Sequence, residues 1–169
     1  MKNMKNRGRK TVDEARLIPL SYGKWAIVDA ADYGRLSSYK WCAVKEKRNW
    51  YAKTLDKDCN RLALHRLIMD APKGLVVDHI DHNCLNNRRS NLRLCTQKQN
   101  NCNTLPRKGC SSKYKGVSFN KARKRFIAYI QHNKKRYFLG YFDDEIDAAK
   151  AYDKAAKKFF GEFAYLNFP

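Results

Sequence analysis

Two stretches of the chain show strand-like apolar runs, and a stretch without any period separates them. In the first, WAIVD (Trp25 to Asp29), YKWCAVK (Tyr39 to Lys45), WYAKT (Trp50 to Thr54) and RLALHRLIM (Arg61 to Met69) are rich in aromatic and β-branched residues and are bounded by polar turn formers. Such runs predict a small β-rich module. The second stretch holds YKGVSFN (114–120), RFIAYIQHN (125–133) and KRYFLGYF (135–142). In the middle run Phe126, Ala128 and Ile130 alternate with Arg125, Ile127, Tyr129 and Gln131, which gives one face for a core and one that is half polar. A helix is predicted next, because DDEIDAAKAYDKAAKKFFG opens with acids and closes with Lys157 and Lys158 before Gly161. Ala148, Tyr152, Ala155 and Phe159 recur at helical spacing, and the small alanines let such a helix lie close on the sheet. These are core positions.

The rest is unpatterned. Residues 1–16 are a basic tail, beginning MKNMKNRGRKTV, that is expected to be flexible. TQKQNNCNTLPRKGCSSK is rich in Asn, Lys, Ser and Gly and contains a proline, which predicts an extended surface segment from near Gln97, with a linker at 102–111. The expected class is therefore α+β: a β-rich module over 17–60, a second small motif over 61–101, the linker, and a three-stranded antiparallel sheet packed on one helix over 112–169. A chain of 169 residues has room for such small modules.

Charge narrows the partner. Against 36 Lys plus Arg stand 16 Asp plus Glu, a formal net charge of +20, and self-repulsion of that size is relieved by a polyanion. Nucleic acid is the first candidate. An anionic membrane would call for a basic amphipathic helix or a long apolar run, and neither is visible. The first twelve residues lead into no apolar segment, so no signal peptide is expected. Six cysteines include no C-x-x-C pair, so a zinc site has no local signature, although Cys84, Cys95, Cys102 and Cys110 could still meet in space. Buried or idle thiols in a reducing compartment are the simpler expectation.

VDHIDHNCLNNRRSNLRL, Val77 to Leu94, concentrates Asp, His, Asn and Arg. Hydrolysing a phosphodiester needs a group that activates water and a cation that stabilises charge on the phosphate and on the leaving 3′ oxygen. A neutral imidazole accepts a proton near pH 7, while carboxylate and amide oxygens suit a hard ion such as Mg²⁺. Neighbours on a regular strand point to opposite sides, so Asp78 and His79 can share one site only at a strand end or distortion. Ser90 reads as the N-cap of a helix through NLRLCTQKQN, with Asn91 in its first turn. Residue types alone leave both phosphodiester chemistry and a solvated polar turn open.

LHRLIM from Leu64, VDHID from Val77 and NNRRSNLRL from Asn86 fall in an order and spacing that resemble the HNH motif of phage and intron-encoded homing endonucleases, over Leu64 to Asn101. The resemblance implies a ββα-metal fold, two strands and a helix around one divalent ion, Mg²⁺ being expected and Mn²⁺ also accepted by oxygen ligands. It implies that His79 is the general base, that Asp78 and Asn91 hold the metal, that Asn87 braces the loop, and that Arg88 and Arg93 steady the phosphate. Where relatives often carry an Asn-Gly turn, this chain has Asp81, His82 and Asn83, and turn filling is favoured for His82 over titration. His65, in LHR, is expected to pack or orient the site, with a backbone hydrogen bond to satisfy its ring.

From Ser112 onward, YKGV, LG-x-F, AA-x-AYD-x-AA and the closing LNFP appear in order and resemble the DNA-binding domain of plant ethylene-response and APETALA factors. This implies a three-stranded sheet laid in the major groove and backed by a helix. The DNA-facing residues would be Lys115, Gly116, Ser118, Asn120, Arg123, Arg125, Tyr129, Gln131, Arg136, Phe138 and Tyr141. Ser118 and Asn120 stand where plant relatives have arginines, and Phe138 where they have tryptophan, so the target sequence cannot be carried over. The N-terminal strands resemble the segment before the nuclease motif in similar phage proteins, with Trp25, Trp41 and Trp50 expected in the core. Together the resemblances imply a site-specific, metal-dependent homing-type endonuclease acting on double-stranded DNA in the cytoplasm of a bacterial or phage-infected cell. The alternative is a non-catalytic DNA-binding protein with a relic motif. One centre per chain favours a monomer that nicks, and no obligate protein partner is evident.

Overall fold

The computed structural model describes residues 14–107 and 109–169, so the expected tail lies outside the described residues except at its end. There Ala15 and Arg16 open β1 (Ala15–Pro19), because ARLIP pairs antiparallel with β2 (Trp25–Asp29), Ala15 opposite Asp29 and Pro19 opposite Trp25. A short helix, α1 (Ala30–Leu36), follows where the sequence suggested only turn material, and Leu36 is fully buried at its end. β3 (Cys42–Glu46), β4 (Asn49–Leu55) and β5 (Arg61–Ala63) form an antiparallel sheet in that order.

RLALHRLIM is strand only as far as Ala63 and continues as α2 (Leu64–Ile68). Leu64 and Ile68 are four apart and both wholly buried, a helical spacing that overrides the strand expectation. β6 (Val76–His79) pairs antiparallel with β7 (Leu92–Cys95), His79 opposite Leu92. The helix expected from Ser90 is displaced. Residues Arg89–Asn91 make one 3-10 turn, and α3 (Gln97–Cys102) starts only after Thr96, whose side chain and that of Gln99 form a reciprocal capping box. Leu92 and Cys95 are buried, so pairing with β6 wins over early helix formation.

The chain divides into two units, the first ending at Cys95 and the second Thr96–Pro169. One buried cluster in the first unit includes Ile18, Val28 and Leu36 together with Leu64, Ile68 and Leu92, so the module expected over 17–60 and the motif after it share a core. Trp41 is buried and its Nε1 donates to Leu36 O at 2.8 Å, and Trp50 packs against the same cluster. Trp25 does not; it is 52% exposed, because Ala26 and Val28 take the inward positions of β2.

In the second unit β8 (Val117–Asn120), β9 (Arg125–His132) and β10 (Lys135–Phe142) form an antiparallel sheet with β9 in the centre, covered by α4 (Glu145–Phe160). The protein is α+β in class. Asp144 caps α4 by accepting from the Ile146 and Asp147 amides, and Ala148, Ala149, Tyr152 and Ala156 are its buried positions, with Ala155 and Phe159 half-buried beside them. Ala128 and Ile130 pack against this helix, and Phe126 joins them, as the alternation predicts. Asp153 explains why AYD and LNFP occur together: its carboxylate accepts from the Asn167 amide at 2.8 Å and the Phe168 amide at 2.9 Å, while Asn167 Oδ1 accepts from the Lys115 amide at 2.8 Å.

Candidate active site and nucleic-acid face

His79 ends β6 and is 5% exposed. Asn87, 1% exposed, presents Oδ1 to His79 Nε2 at 3.3 Å. An amide oxygen only accepts, so Nε2 carries the proton and Nδ1 carries the lone pair. Burial pushes the His79 pKa below its ordinary value, although the Asn87 bond and the nearby Asp81 and Asp78 act the other way. Two further rings surround it: His65 at 5.2 Å between centroids, edge-on, and Tyr51 of β4 at 6.4 Å. Burial, then the neighbouring His79, lowers His65 to about 3, so its ring is neutral. The backbone bond expected for His65 is not made at Nδ1, which is buried without a hydrogen-bond partner. Burial, then a hydrogen bond with Cys84, pushes Tyr51 up to about 12.

The loop after β6 is tied by Asp81. Its Oδ1 accepts from the Asn83 amide at 2.8 Å and from Asn91 Nδ2 at 2.8 Å, and its Oδ2 accepts from Asn86 Nδ2 at 2.7 Å. Burial raises the Asp81 pKa, but these bonds outweigh it and hold the carboxyl below the usual range. Asn91 also accepts from the Asp81 amide at 3.0 Å and donates to Asn86 O at 2.8 Å. These bonds make Asn91 a brace of the loop, at the position where the resemblance implies a metal ligand. His82 has φ 64 and fills a left-handed turn position.

The arginines that the resemblance places at the phosphate pair with carboxylates. Arg88 Nε donates to Asp29 Oδ1 at 3.1 Å, joining the loop to the end of β2. Arg93 donates to Asp78 Oδ2 through Nε at 2.9 Å and Nη2 at 2.7 Å, fixing that buried carboxylate in direction. Arg89 and Arg35 both donate to Asp32, which is 4% exposed; burial alone would raise its pKa, and the two guanidinium groups bring it below the usual range. Among the described residues no three His, Cys, Asp or Glu side chains gather as a metal-ligand group. Asp78 is a buried carboxylate next in sequence to His79 at the end of β6, and such an oxygen donor suits a hard divalent ion that keeps most of its water rather than a thiolate-bound zinc.

On the second unit's sheet the strand register puts Ser118 opposite Ile127, Asn120 opposite Arg125, Arg136 opposite Gln131, Phe138 opposite Tyr129 and Tyr141 opposite Ile127, all on the face away from α4. The Arg136 guanidinium lies 3.7 Å over the Tyr129 ring and that of Arg123 lies 4.7 Å over Tyr141. Arg125 pairs with Asp143 at 2.7 Å, and Asn120 Oδ1 accepts from the Arg123 amide at 3.0 Å. Lys115 and Gly116 leave this face. Lys115 Nζ donates to Cys102 O at 2.8 Å and to Thr104 O at 2.6 Å, and burial lowers its pKa to about 8. Gly116 has φ +78, and a Cβ there would stand 2.0 Å from the Tyr152 ring. Both are packing residues.

Residues 63–102 match the family model described as HNH endonuclease, and residues 112–162 the model described as AP2 domain. Over 151 residues the chain is 34% identical to a protein named as an uncharacterized HNH endonuclease of Acanthamoeba polyphaga mimivirus, covering 86% of this chain and 75% of that protein. The chain belongs to the HNH endonuclease family. Other relatives of this HNH protein match parts of it. It is 40% identical over 67 residues to Protein 3.8 of Escherichia phage T7, which is 37% of this chain and 55% of that protein. An AP2-like ethylene-responsive transcription factor of Arabidopsis thaliana is 45% identical over 58 residues, 34% of this chain and 12% of the plant protein. No solved structure matches the chain. Among the described residues no helix is long and apolar enough to cross a membrane.

Asp81 and Tyr51 join the site in roles that the HNH resemblance does not imply. Asp81 was legible locally, since an Asp two residues before an Asn in a turn-rich stretch reads as a side-chain cap of the loop. Tyr51 sits 28 positions before His79 and had no local signal.

Proposed function

We propose that this HNH protein is a metal-dependent, site-specific DNA endonuclease of the homing type, and that the observation carrying this is the buried His79 held at Nε2 by Asn87, with the buried Asp78 next to it in sequence. In this reading His79 takes the proton of the attacking water at Nδ1, and Asn87 sets the tautomer that leaves Nδ1 basic. Asp78, oriented by Arg93, would hold the divalent ion, with Mg²⁺ the expected one and Mn²⁺ accepted as well. The ion, when bound, supplies positive charge against the charge that develops on the phosphate and the leaving oxygen. The outer face of the AP2 sheet binds double-stranded DNA and selects the site, its arginines stacked on tyrosines that prepay part of their ordering. A single centre per chain makes a monomer and a nick the expectation, in the cytoplasm of a bacterial or phage-infected cell.

Supercoiled plasmid carrying candidate sites tests this, incubated with wild type or His79→Ala, with Mg²⁺ or with EDTA. Wild type with metal should alone give nicked or linear product, while His79→Ala keeps its DNA affinity. Binding without cleavage by the wild type on every target would reduce the chain to a DNA-binding protein with a relic motif.

A further inference from the structure

The hairpin joining β1 to β2 turns at Ser21–Gly23 and carries Tyr22, 78% exposed, with the 52% exposed Trp25 three residues on. Tyr22 has φ 59 and ψ 31, a left-handed backbone that a bulky residue adopts only at a cost. Its ring leans on Trp50 of β4, with centroids 5.7 Å apart. Over the same indole stand two ammonium groups, Lys24 Nζ at 4.5 Å and Lys45 Nζ at 5.9 Å from the centroid. Among the described residues no carboxylate pairs with either, since Glu46, the acid next to Lys45, is taken by Lys53.

Two like charges gathered on one ring repel, and a phosphate beside them turns that repulsion into attraction. Exposed rings beside such cations are the composition of a stacking platform for nucleic acid, where bases meet the rings and the backbone meets the lysines. An apolar protein partner would gain nothing from the uncompensated charge. A duplex hides its base faces in its own stack, so rings of this exposure suit unpaired bases.

We propose that this hairpin tip on the first unit, Tyr22 and Trp25 with the Lys24–Trp50–Lys45 stack, is a second DNA-contact surface that takes an unpaired strand. The choice of DNA as partner rests on the function proposed above, and the test keeps the two apart. The full chain, in EDTA, is titrated with a labelled short oligothymidylate and with a duplex of equal length. The double variant Tyr22→Ala, Trp25→Ala removes two rings that are more than half exposed and is checked by circular dichroism; Phe138→Ala on the AP2 sheet is the companion. The hairpin variant should bind the single strand about tenfold or more weakly while duplex binding changes little, and Phe138→Ala should show the reverse. Oligonucleotides containing 4-thiothymidine should photo-crosslink the wild type at Tyr22 or Trp25. Unchanged single-strand affinity, equal losses on both substrates, or wild-type self-association that the hairpin variant abolishes would each overturn the proposal. Loss of plasmid cleavage with the crosslinks intact would instead sink the nuclease reading and leave this surface standing.

Discussion

At the scale of single residues, the centre is organised by what each polar atom is bonded to. Asn87 faces Nε2 of a histidine whose pKa is already lowered by burial, so His79 stays neutral and basic below its ordinary 6.5. Single-turnover cleavage should therefore hold its plateau to below pH 6.5, and Asn87→Asp, which keeps an acceptor at Nε2 but adds negative charge, should move the acid limb upward. A wild-type limb centred at or above 6.5 would contradict the burial argument. His65 gives a second pH effect with a definite sign. Folded, it takes a proton only at about 3, whereas an unfolded histidine does so near 6.5, so the unfolded state binds more protons between those values. The first unit should be fully stable above pH 6.5 and lose up to about 1.4 kcal/mol per pH unit below it, a slope that His65→Phe should flatten. All three tryptophans lie in the first unit, so urea melts followed by their fluorescence report it alone.

At the scale of elements, close approach decides more than propensity does. The turn just before β8 meets α4 at Gly116, where φ +78 excludes a strain-free side chain and Tyr152 fills the space a Cβ would need. Gly116→Ala should destabilise the second unit by more than about 2 kcal/mol, seen by circular dichroism as an earlier melt, with tryptophan fluorescence unmoved. An unchanged melt would mean that Tyr152 swings away freely. The elements legible in the sequence were those whose period matched their burial. β9 and β10 follow the apolar runs at 125–133 and 135–142 to within a residue, because one face packs on α4 and the other carries polar groups. RLALHRLIM and NLRLCTQKQN depart from their expected elements for the same physical reason: each short run is compatible with strand or helix, and pairing with a distant strand or burial against one settles it.

At the scale of the whole molecule, a charge of +20 spread over both units predicts steep salt dependence. If six to ten phosphates are contacted, affinity should fall roughly 10³-fold to 10⁵-fold between about 50 and 200 mM salt. A flat response in a filter-binding or anisotropy titration would argue against extended backbone contact. What the sequence determined alone is what local chemistry and period dictate: the α+β class, the sheet and helix of 112–169, the cationic character, and the presence of Asp78, His79 and Asn87 in one motif. What only tertiary structure decided is which partner each polar group finds. Asn91 closes a loop, Arg88 reaches 59 residues back to Asp29, and Lys115 turns inward to Cys102 and Thr104, because a hydrogen bond depends on which atoms meet in space and sequence spacing does not record that meeting.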